Sequence, residues 1–265
     1  MGETHLDNPD LPNVSLVACY SEKTSELKAL IQKLQTGLAQ HELIDSFTPY
    51  HLGQVHGTII GCEGVQTKSG IVNKSYGNLR NETRYMNIPG LVDYLQYQVK
   101  FPFNICFGGY DLNFDYNFLS RNKHPYLRSF QLQSIGDKTI PVLIGWPWQN
   151  NTISGDIDRL RKKLQQFNLL HKYHRELDDV DNDFYLRIGT IDSPLTIEAT
   201  EIIAKDIRTL LASQSTLSIP IYLQDLAFAQ YQDLSFNPST TRVFSAAKIT
   251  SSQLEQLYSQ SANTI

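Results

Sequence analysis

Residues 55–59 read Val-His-Gly-Thr-Ile, and residues 187–191 read Arg-Ile-Gly-Thr-Ile. Both runs place apolar, β-branched residues around a Gly-Thr pair, which is typical of short β-strands. Each run follows an apolar strand and a helix with leucine-type residues along one face. These preceding elements are predicted at residues 14–20 and 21–40, and at residues 140–146 and 153–170. The same order of elements in two places predicts an internal duplication.

The correspondence continues after the two Gly-Thr runs. Each is followed by a predicted helix, a strand opened by proline, a Tyr-x-x-Leu-Ser pattern and a strand that begins at arginine. In chain order these are predicted at 88–100, 101–105, 116–120 and 128–133, and again at 196–213, 219–223, 231–235 and 242–247. A longer Gly- and Asn-rich connection at 61–87 accounts for the different spacing of the two copies.

The duplication predicts an α+β fold with two pseudo-symmetric lobes. Each lobe is expected to be an antiparallel sheet packed with helices, and the two lobes are expected to face a central cleft. We place the N-terminal lobe at residues 13–135 and the C-terminal lobe at residues 136–250. Residues 1–12 and 251–265 are left as terminal segments.

Composition excludes several classes of protein. The 265 residues carry 23 basic and 27 acidic side chains, a net charge of -4, so long duplex nucleic acid is not the expected partner. No run reaches the roughly 18 apolar residues of a membrane helix, and the first residues do not resemble a signal peptide. Cys19, Cys62 and Cys106 lie far apart in apolar stretches, which indicates reduced, buried thiols. We therefore expect a cytoplasmic protein.

Side chains alternate along a strand, so His56 and Thr58 should share one face. Gly57 should face the other way, where its small size allows a helix to pack closely. The repeat assigns Ile188 and Thr190 to the equivalent positions of the second lobe. Across a pseudo-twofold axis, His56 and Thr190 are then expected to lie on opposite sides of one cleft.

At these residues the sequence resembles the 2H phosphoesterase superfamily, the LigT-like RNA 2′,3′-cyclic phosphodiesterases and their relatives. That family has a bilobal α+β fold with one His-x-Thr/Ser motif in each lobe. The resemblance implies a histidine base and a histidine acid on either side of phosphorus, with the Thr hydroxyls holding phosphate oxygens. Here the first motif, at His56 and Thr58, is intact, whereas Ile188 replaces the second histidine. The resemblance therefore implies reduced or altered activity.

The predicted site has two groups of residues. The catalytic candidates are His56, Thr58 and Thr190. The substrate-binding candidates are His51, Tyr185, Arg187, Tyr116 and Tyr231. Strict alternation points Tyr185 and Arg187 away from Ile188, and only a bulge or another register would turn them to the cleft. The two other tyrosines have a second interpretation as core residues.

The expected function is hydrolysis of a cyclic nucleotide or of the terminal cyclic phosphate of an RNA. The alternative is a non-catalytic module on the same fold that binds a nucleotide or a protein. We expect no cofactor and no metal. His171 and His174, followed by acidic residues at 178–183, are interpreted as a helix end and a solvated loop rather than as a metal site.

Overall fold

The computed structural model describes residues 13–259, and it has the mixed α+β class that the sequence predicts. Seven α-helices lie in this part of the chain: α1 (Ser25–Ala39), α2 (Lys74–Arg80), α3 (Ile88–Tyr97), α4 (Pro125–Arg128), α5 (Asp156–Leu164), α6 (Ile197–Ala212) and α7 (Ser251–Gln256). Within residues 13–259, none of the helices combines the length and the apolar character that crossing a membrane requires.

The same part of the chain forms fourteen strands. They are β1 (Asn13–Ala18), β2 (Phe47–Pro49), β3 (Gly57–Gly61), β4 (Gly64–Thr67), β5 (Gly70–Asn73), β6 (Phe103–Phe107), β7 (Phe130–Ile135), β8 (Lys138–Gln149), β9 (Thr152–Ile153), β10 (Phe184–Arg187), β11 (Gly189–Ile191), β12 (Leu217–Ile221), β13 (Leu226–Tyr231) and β14 (Arg242–Ser245).

Twelve of these strands form one antiparallel sheet, whose main order is β12-β6-β8-β10-β3-β1-β13-β14. Strands β3 and β10 meet at its centre, and β4 with β5 forms a separate hairpin. Strand β6 pairs with β8, and β13 pairs with β1, so the two halves of the chain exchange strands. The division into two lobes facing a cleft remains a prediction.

The helices with the clearest sequence signals form where they are predicted. The Thr24 side chain accepts a hydrogen bond from the Leu27 backbone and caps α1, and Thr196 caps α6 in the same way. The whole predicted apolar face of α1 is buried: Leu27, Leu30, Ile31, Leu34 and Leu38. Helix α7 belongs to the segment left as a C-terminal tail, yet Leu254, Leu257 and Tyr258 are buried in the core. Cys19, Cys62 and Cys106 are buried and free, as expected.

Two strand predictions are corrected by the pairing. The run at 187–191 is not one strand, because β10 ends at Arg187 and β11 begins at Gly189. The two strands opened by proline in the predicted repeat hydrogen-bond to each other, with Ile105 opposite Ile219. Pro220 lies inside β12 rather than at its start, and the sheet tolerates it because β12 is an edge strand.

A β-bulge interrupts the pairing of β3 with β1. Leu16 pairs with Ile60 and Val17 pairs with Thr58, which leaves Ile59 as an extra residue on β3. The Arg161 side chain, from α5, donates to the Ile59 carbonyl at 2.7 Å and to the Thr58 carbonyl at 3.0 Å. Carbonyl groups at the bulge therefore have a buried donor instead of water.

Arg161 also holds the segment that leads into β10. Its guanidinium donates to the carbonyls of Asp181 and Asp183 at 2.8 and 3.1 Å, and it lies 3.4 Å from the Asp181 carboxylate. The Arg161 side chain is only 3% exposed. A single buried cation thus joins β3 to the chain that precedes β10.

We expect Arg161→Met to lower the free energy of unfolding by about 3–5 kcal/mol, because four carbonyl groups lose their donor and the buried Asp181 carboxylate loses a cationic partner. Urea denaturation monitored by circular dichroism measures this change. Arg159→Met, at an exposed position of the same helix, is the matched control and should change stability by less than about 0.5 kcal/mol. Equal unfolding midpoints for the two variants would contradict the role given to Arg161.

Candidate functional site

The pocket lies over the junction of β3 and β10, where Gly57 pairs with Leu186. The residues on either side of this pair share the opposite face of the sheet. Their four side chains line one cavity of about 130 Å³: His56, Thr58, Tyr185 and Arg187. Strand pairing therefore brings an imidazole, a hydroxyl, a phenol and a guanidinium to one place.

Gly57 faces the core beneath this pocket. A Cβ atom at Gly57 would overlap the buried ring of Phe184, so the ring packs directly on the Gly57 backbone. Close approach to Gly57 was expected, but the predicted partner, a helix, is wrong. The partner is a ring on the adjacent strand, and its packing sets β10 in register with β3.

The His56 ring is held in one orientation and one tautomer. Its Nδ1 lies 2.7 Å from the Gln54 carbonyl oxygen and must donate to it, which leaves a lone pair on Nε2. The Phe236 ring packs against the imidazole with 3.8 Å between centroids. Burial lowers the pKa of His56 to about 4, although the Gln54 carbonyl opposes the shift. His56 is therefore neutral at pH 7, with Nε2 ready to accept a proton.

Arg187 lies opposite His56 across the two strands. Within residues 13–259, no carboxylate forms an ion pair with Arg187 and no other group accepts a hydrogen bond from its side chain. A half-buried guanidinium that has no partner in this part of the chain is well suited to bind an oxyanion through two parallel hydrogen bonds. Electrostatically, this end of the pocket favours an anionic ligand.

Tyr185 is held by a network of buried polar groups. Arg128 donates to the Tyr185 hydroxyl oxygen and, at 2.6 Å, to the Asp183 carboxylate. Ser120 and Trp146 donate to the same carboxylate at 2.6 and 2.7 Å. Because arginine only donates, the phenol oxygen is the acceptor and its own hydrogen is free for another partner. Burial raises the pKa of Tyr185, while the Arg128 charge acts against that shift.

The acidic run after the predicted histidine pair is solvated only at its start, where Asp178 is exposed; its second part is buried. Asp181 is buried, and its carboxylate accepts from His171 Nε2 at 2.8 Å. His174 is buried as well and donates to Asp158 at 3.0 Å. Burial lowers the pKa of His171 to about 3, and the Arg161 charge adds to that effect. Burial of Asp181 acts to raise its pKa, but Arg161 and His171 outweigh it and hold the pKa below its usual range.

Thr190 does not line the pocket, which corrects the predicted position across a cleft from His56. The chain turns at Ile188, whose carbonyl accepts from Tyr50 N at 3.1 Å and from Gln35 Nε2 at 2.9 Å. Strand β11 then pairs with β2, and the Thr190 hydroxyl lies 3.3 Å from the Tyr50 hydroxyl. The residues that lie opposite the first motif on the adjacent strand are therefore Tyr185 and Arg187, not Ile188 and Thr190.

Of the other three substrate-binding candidates, one lines the pocket and two lie outside it. Tyr231 lines the pocket and contacts its far end. His51 is exposed outside the pocket, where its Nδ1 accepts from the Gly53 backbone at 3.2 Å. Tyr116 packs among aromatic rings that include Tyr110, and its hydroxyl accepts a backbone hydrogen bond from a nearby loop. His51 and Tyr116 are therefore corrected to positions outside this pocket.

Four residues that line or support the pocket were not among the predicted site residues: Glu63, Arg128, Asp183 and Phe236. Glu63 and Phe236 line the pocket from a loop and from the chain after β13. Arg128 and Asp183 act beneath it, through Tyr185. One signal could have found Asp183: the acidic run leads directly into the apolar strand at Phe184, but we interpreted that run as a solvated loop.

Comparisons with protein-family models, curated proteins and solved structures find no match for this chain. Across the described residues, no three or more His, Cys, Asp or Glu side chains are grouped so as to hold a metal ion. The chemistry of the pocket is therefore argued from its own side chains.

We expect the His56 imidazole to titrate near pH 4 and Phe236→Ala to raise its pKa towards 6.5, because removing the ring admits water. Chemical shifts of the histidine ring protons against pH measure both values. Below pH 6.5 the unfolded state binds a proton that folded His56 refuses, so stability falls between about pH 6.5 and 4.

Leu234→Ala is the control, because Leu234 lines the same pocket but is about half exposed. It should leave the His56 titration in place. A wild-type midpoint near 6.5 would contradict the burial of the ring.

Proposed function

We propose that this protein binds the phosphate of a small nucleotide or of an RNA end, and that it hydrolyses a 2′,3′-cyclic phosphate by altered chemistry. One observation carries the proposal: His56, Thr58, Tyr185 and Arg187 line one pocket from two adjacent strands. These four groups can hold a phosphate and move its protons. Buried thiols without a disulfide suit the cytoplasm as its setting.

His56 is the base of this proposed reaction. Its Nε2 lone pair takes a proton from water, and the resulting hydroxide attacks phosphorus. Thr58 donates to a non-bridging oxygen, and Arg187 neutralises the charge that grows on the phosphate. A bound phosphate anion near the imidazole favours its protonated form, so ligand binding moves the pKa of His56 upward.

Tyr185 is the proton donor in place of a second histidine. As the bond between phosphorus and the leaving ribose oxygen breaks, the phenol gives its proton to that oxygen. The phenolate remains beside the Arg128 guanidinium, which already donates to it. Afterwards His56 releases its proton to solvent and Tyr185 takes one up, so both groups return to their starting forms.

A specific observation supports a second candidate, binding without turnover. An effective base or acid has a pKa close to the working pH. The pKa of His56 lies near 4, and that of Tyr185 is raised by burial. A pocket with these values holds an anion well and moves protons slowly.

We expect the full chain to hydrolyse 2′,3′-cyclic nucleotides and His56→Ala to reduce kcat by about 10² to 10⁴-fold, the usual contribution of one base. Arg187→Gln should both raise KM and lower kcat, because Arg187 binds the phosphate of the substrate and also neutralises the charge that grows in the transition state. His41→Gln, outside the pocket, is the control. Tight binding without turnover in the wild type would select the second candidate, and neither binding nor turnover would end the proposal.

The role of Tyr185 is tested by the leaving group. A nitrophenolate leaves without a proton, whereas a ribose oxygen needs one. Tyr185→Phe should therefore slow cyclic nucleotide hydrolysis by about 10²-fold or more and leave hydrolysis of bis(4-nitrophenyl) phosphate within about threefold. His56→Ala should slow the hydrolysis of both substrates. Tyr97→Phe changes an exposed residue and should slow neither reaction. Equal losses on both substrates for Tyr185→Phe would refute a proton donor.

A further inference from the structure

The pocket continues along β3 beyond the phosphate-binding residues. Without a bulge, the pocket face would carry residues 56, 58 and 60. The extra residue, Ile59, shifts the alternation so that Gly61 follows Thr58 on that face, paired with Ser15 of β1. Three residues of strand span roughly 10 Å. The distance from Thr58 to Gly61 therefore suits a nucleoside whose phosphate lies at the first end.

Glu63 covers the floor of this second end. A Cβ atom at Gly61 would overlap the Glu63 carboxylate, so the absence of a side chain is what makes room for it. The carboxylate accepts from the Tyr231 hydroxyl at 3.2 Å, and the Ser15 hydroxyl lies 3.2 Å from the same phenol oxygen. With one proton on each hydroxyl, Ser15 donates to Tyr231 and Tyr231 donates to Glu63.

The second carboxylate oxygen of Glu63 is not used by Tyr231, although the Glu63 backbone also donates to the carboxylate. Glu63 Oε2 accepts no hydrogen bond from another side chain within residues 13–259. The group is only half-buried and lines the pocket. Its surroundings raise its pKa through burial, and the Tyr231 hydrogen bond and the nearby Lys172 charge act in the opposite direction. A ligand group that donates hydrogen bonds would satisfy this oxygen.

We propose that this end of the pocket is a second binding site that takes a guanine base, whose N–H donors pair with the Glu63 carboxylate. The proposal rests on the phosphate site described above, because it names the nucleoside attached to that phosphate. It also requires that the base of the ligand has two adjacent hydrogen-bond donors on one edge.

The choice among bases follows from their edges. Guanine presents N1–H and N2–H side by side, and a carboxylate accepts both. Adenine and cytosine offer one amino group next to a ring nitrogen acceptor, and uracil offers one N–H between two carbonyls, which a carboxylate repels. Lys172 lines the same pocket and can donate to the guanine O6 carbonyl. Its ammonium has no acceptor capacity, so it too disfavours an amino group at that position.

The experiment measures dissociation constants of guanosine, adenosine, cytidine and uridine for the full chain by titration calorimetry, and repeats the series with the 3′-monophosphates. We expect guanosine to bind about tenfold more tightly than the other nucleosides, in line with a good bidentate contact. Glu63→Gln keeps the shape and an acceptor for Tyr231 but adds amino donors, so the guanosine preference should fall to about one. Glu22→Gln, at a fully exposed side chain, is the control.

Gly61→Ala supplies a second variant. The added methyl group displaces the Glu63 carboxylate, so this substitution should also abolish the guanosine preference while every charge is kept. If Glu63→Gln proved unstable, the result with Gly61→Ala would still decide.

The outcomes separate the two proposals. Base-independent binding, or a guanosine preference that survives both substitutions, overturns the guanine site and leaves the phosphate site standing. A guanosine preference to which the 3′-phosphate adds no affinity supports the guanine site and overturns the proposed function. No binding in either series overturns both.

Discussion

The carbonyl groups at the β-bulge of β3 point into the protein, and one guanidinium, that of Arg161, donates to them and to the segment before β10. This interaction fixes the distance and direction between the two central strands. Without a donor at that place, the extra residue Ile59 would leave unpaired carbonyl groups in the core, at a cost of about 1–3 kcal/mol each. The bulge, the pocket face beyond Thr58 and the entry of β10 therefore depend on one side chain.

The network beside the pocket contains buried charged groups, and burying them costs free energy. Removing Asp181 and Asp183 from water is unfavourable, and replacing such ions by apolar residues often stabilises a protein. Here each carboxylate is satisfied by several donors, and the result is one defined position for Arg128. That position decides which way the Tyr185 hydroxyl points. The buried network is thus better understood as orienting a pocket residue than as stabilising the fold.

The local sequence pattern predicted the helices and strands well, but it predicted poorly which residues lie opposite His56 and Thr58. Helices α1 and α6, strands β1 and β8, and the shared face of His56 and Thr58 follow from periodicity, which each segment carries by itself. The second motif was placed at Ile188 and Thr190 because that run repeats the letters of the first. Strand pairing selects Tyr185 and Arg187 instead, through the contact of Phe184 with Gly57, and no local pattern encodes that contact.

The residues that strand pairing brings into the pocket also limit the acid–base chemistry that the pocket can perform. A second histidine would add a group whose unperturbed pKa lies near neutral pH. In this pocket an imidazole faces a guanidinium that never gives up its proton, so the phenol is the group assigned to donate a proton to the leaving oxygen. In the proposed function, charge stabilisation by Arg187 would therefore take the place of part of the proton transfer. In this pocket, the residues that would catalyse a reaction are largely the same residues that would bind its substrate.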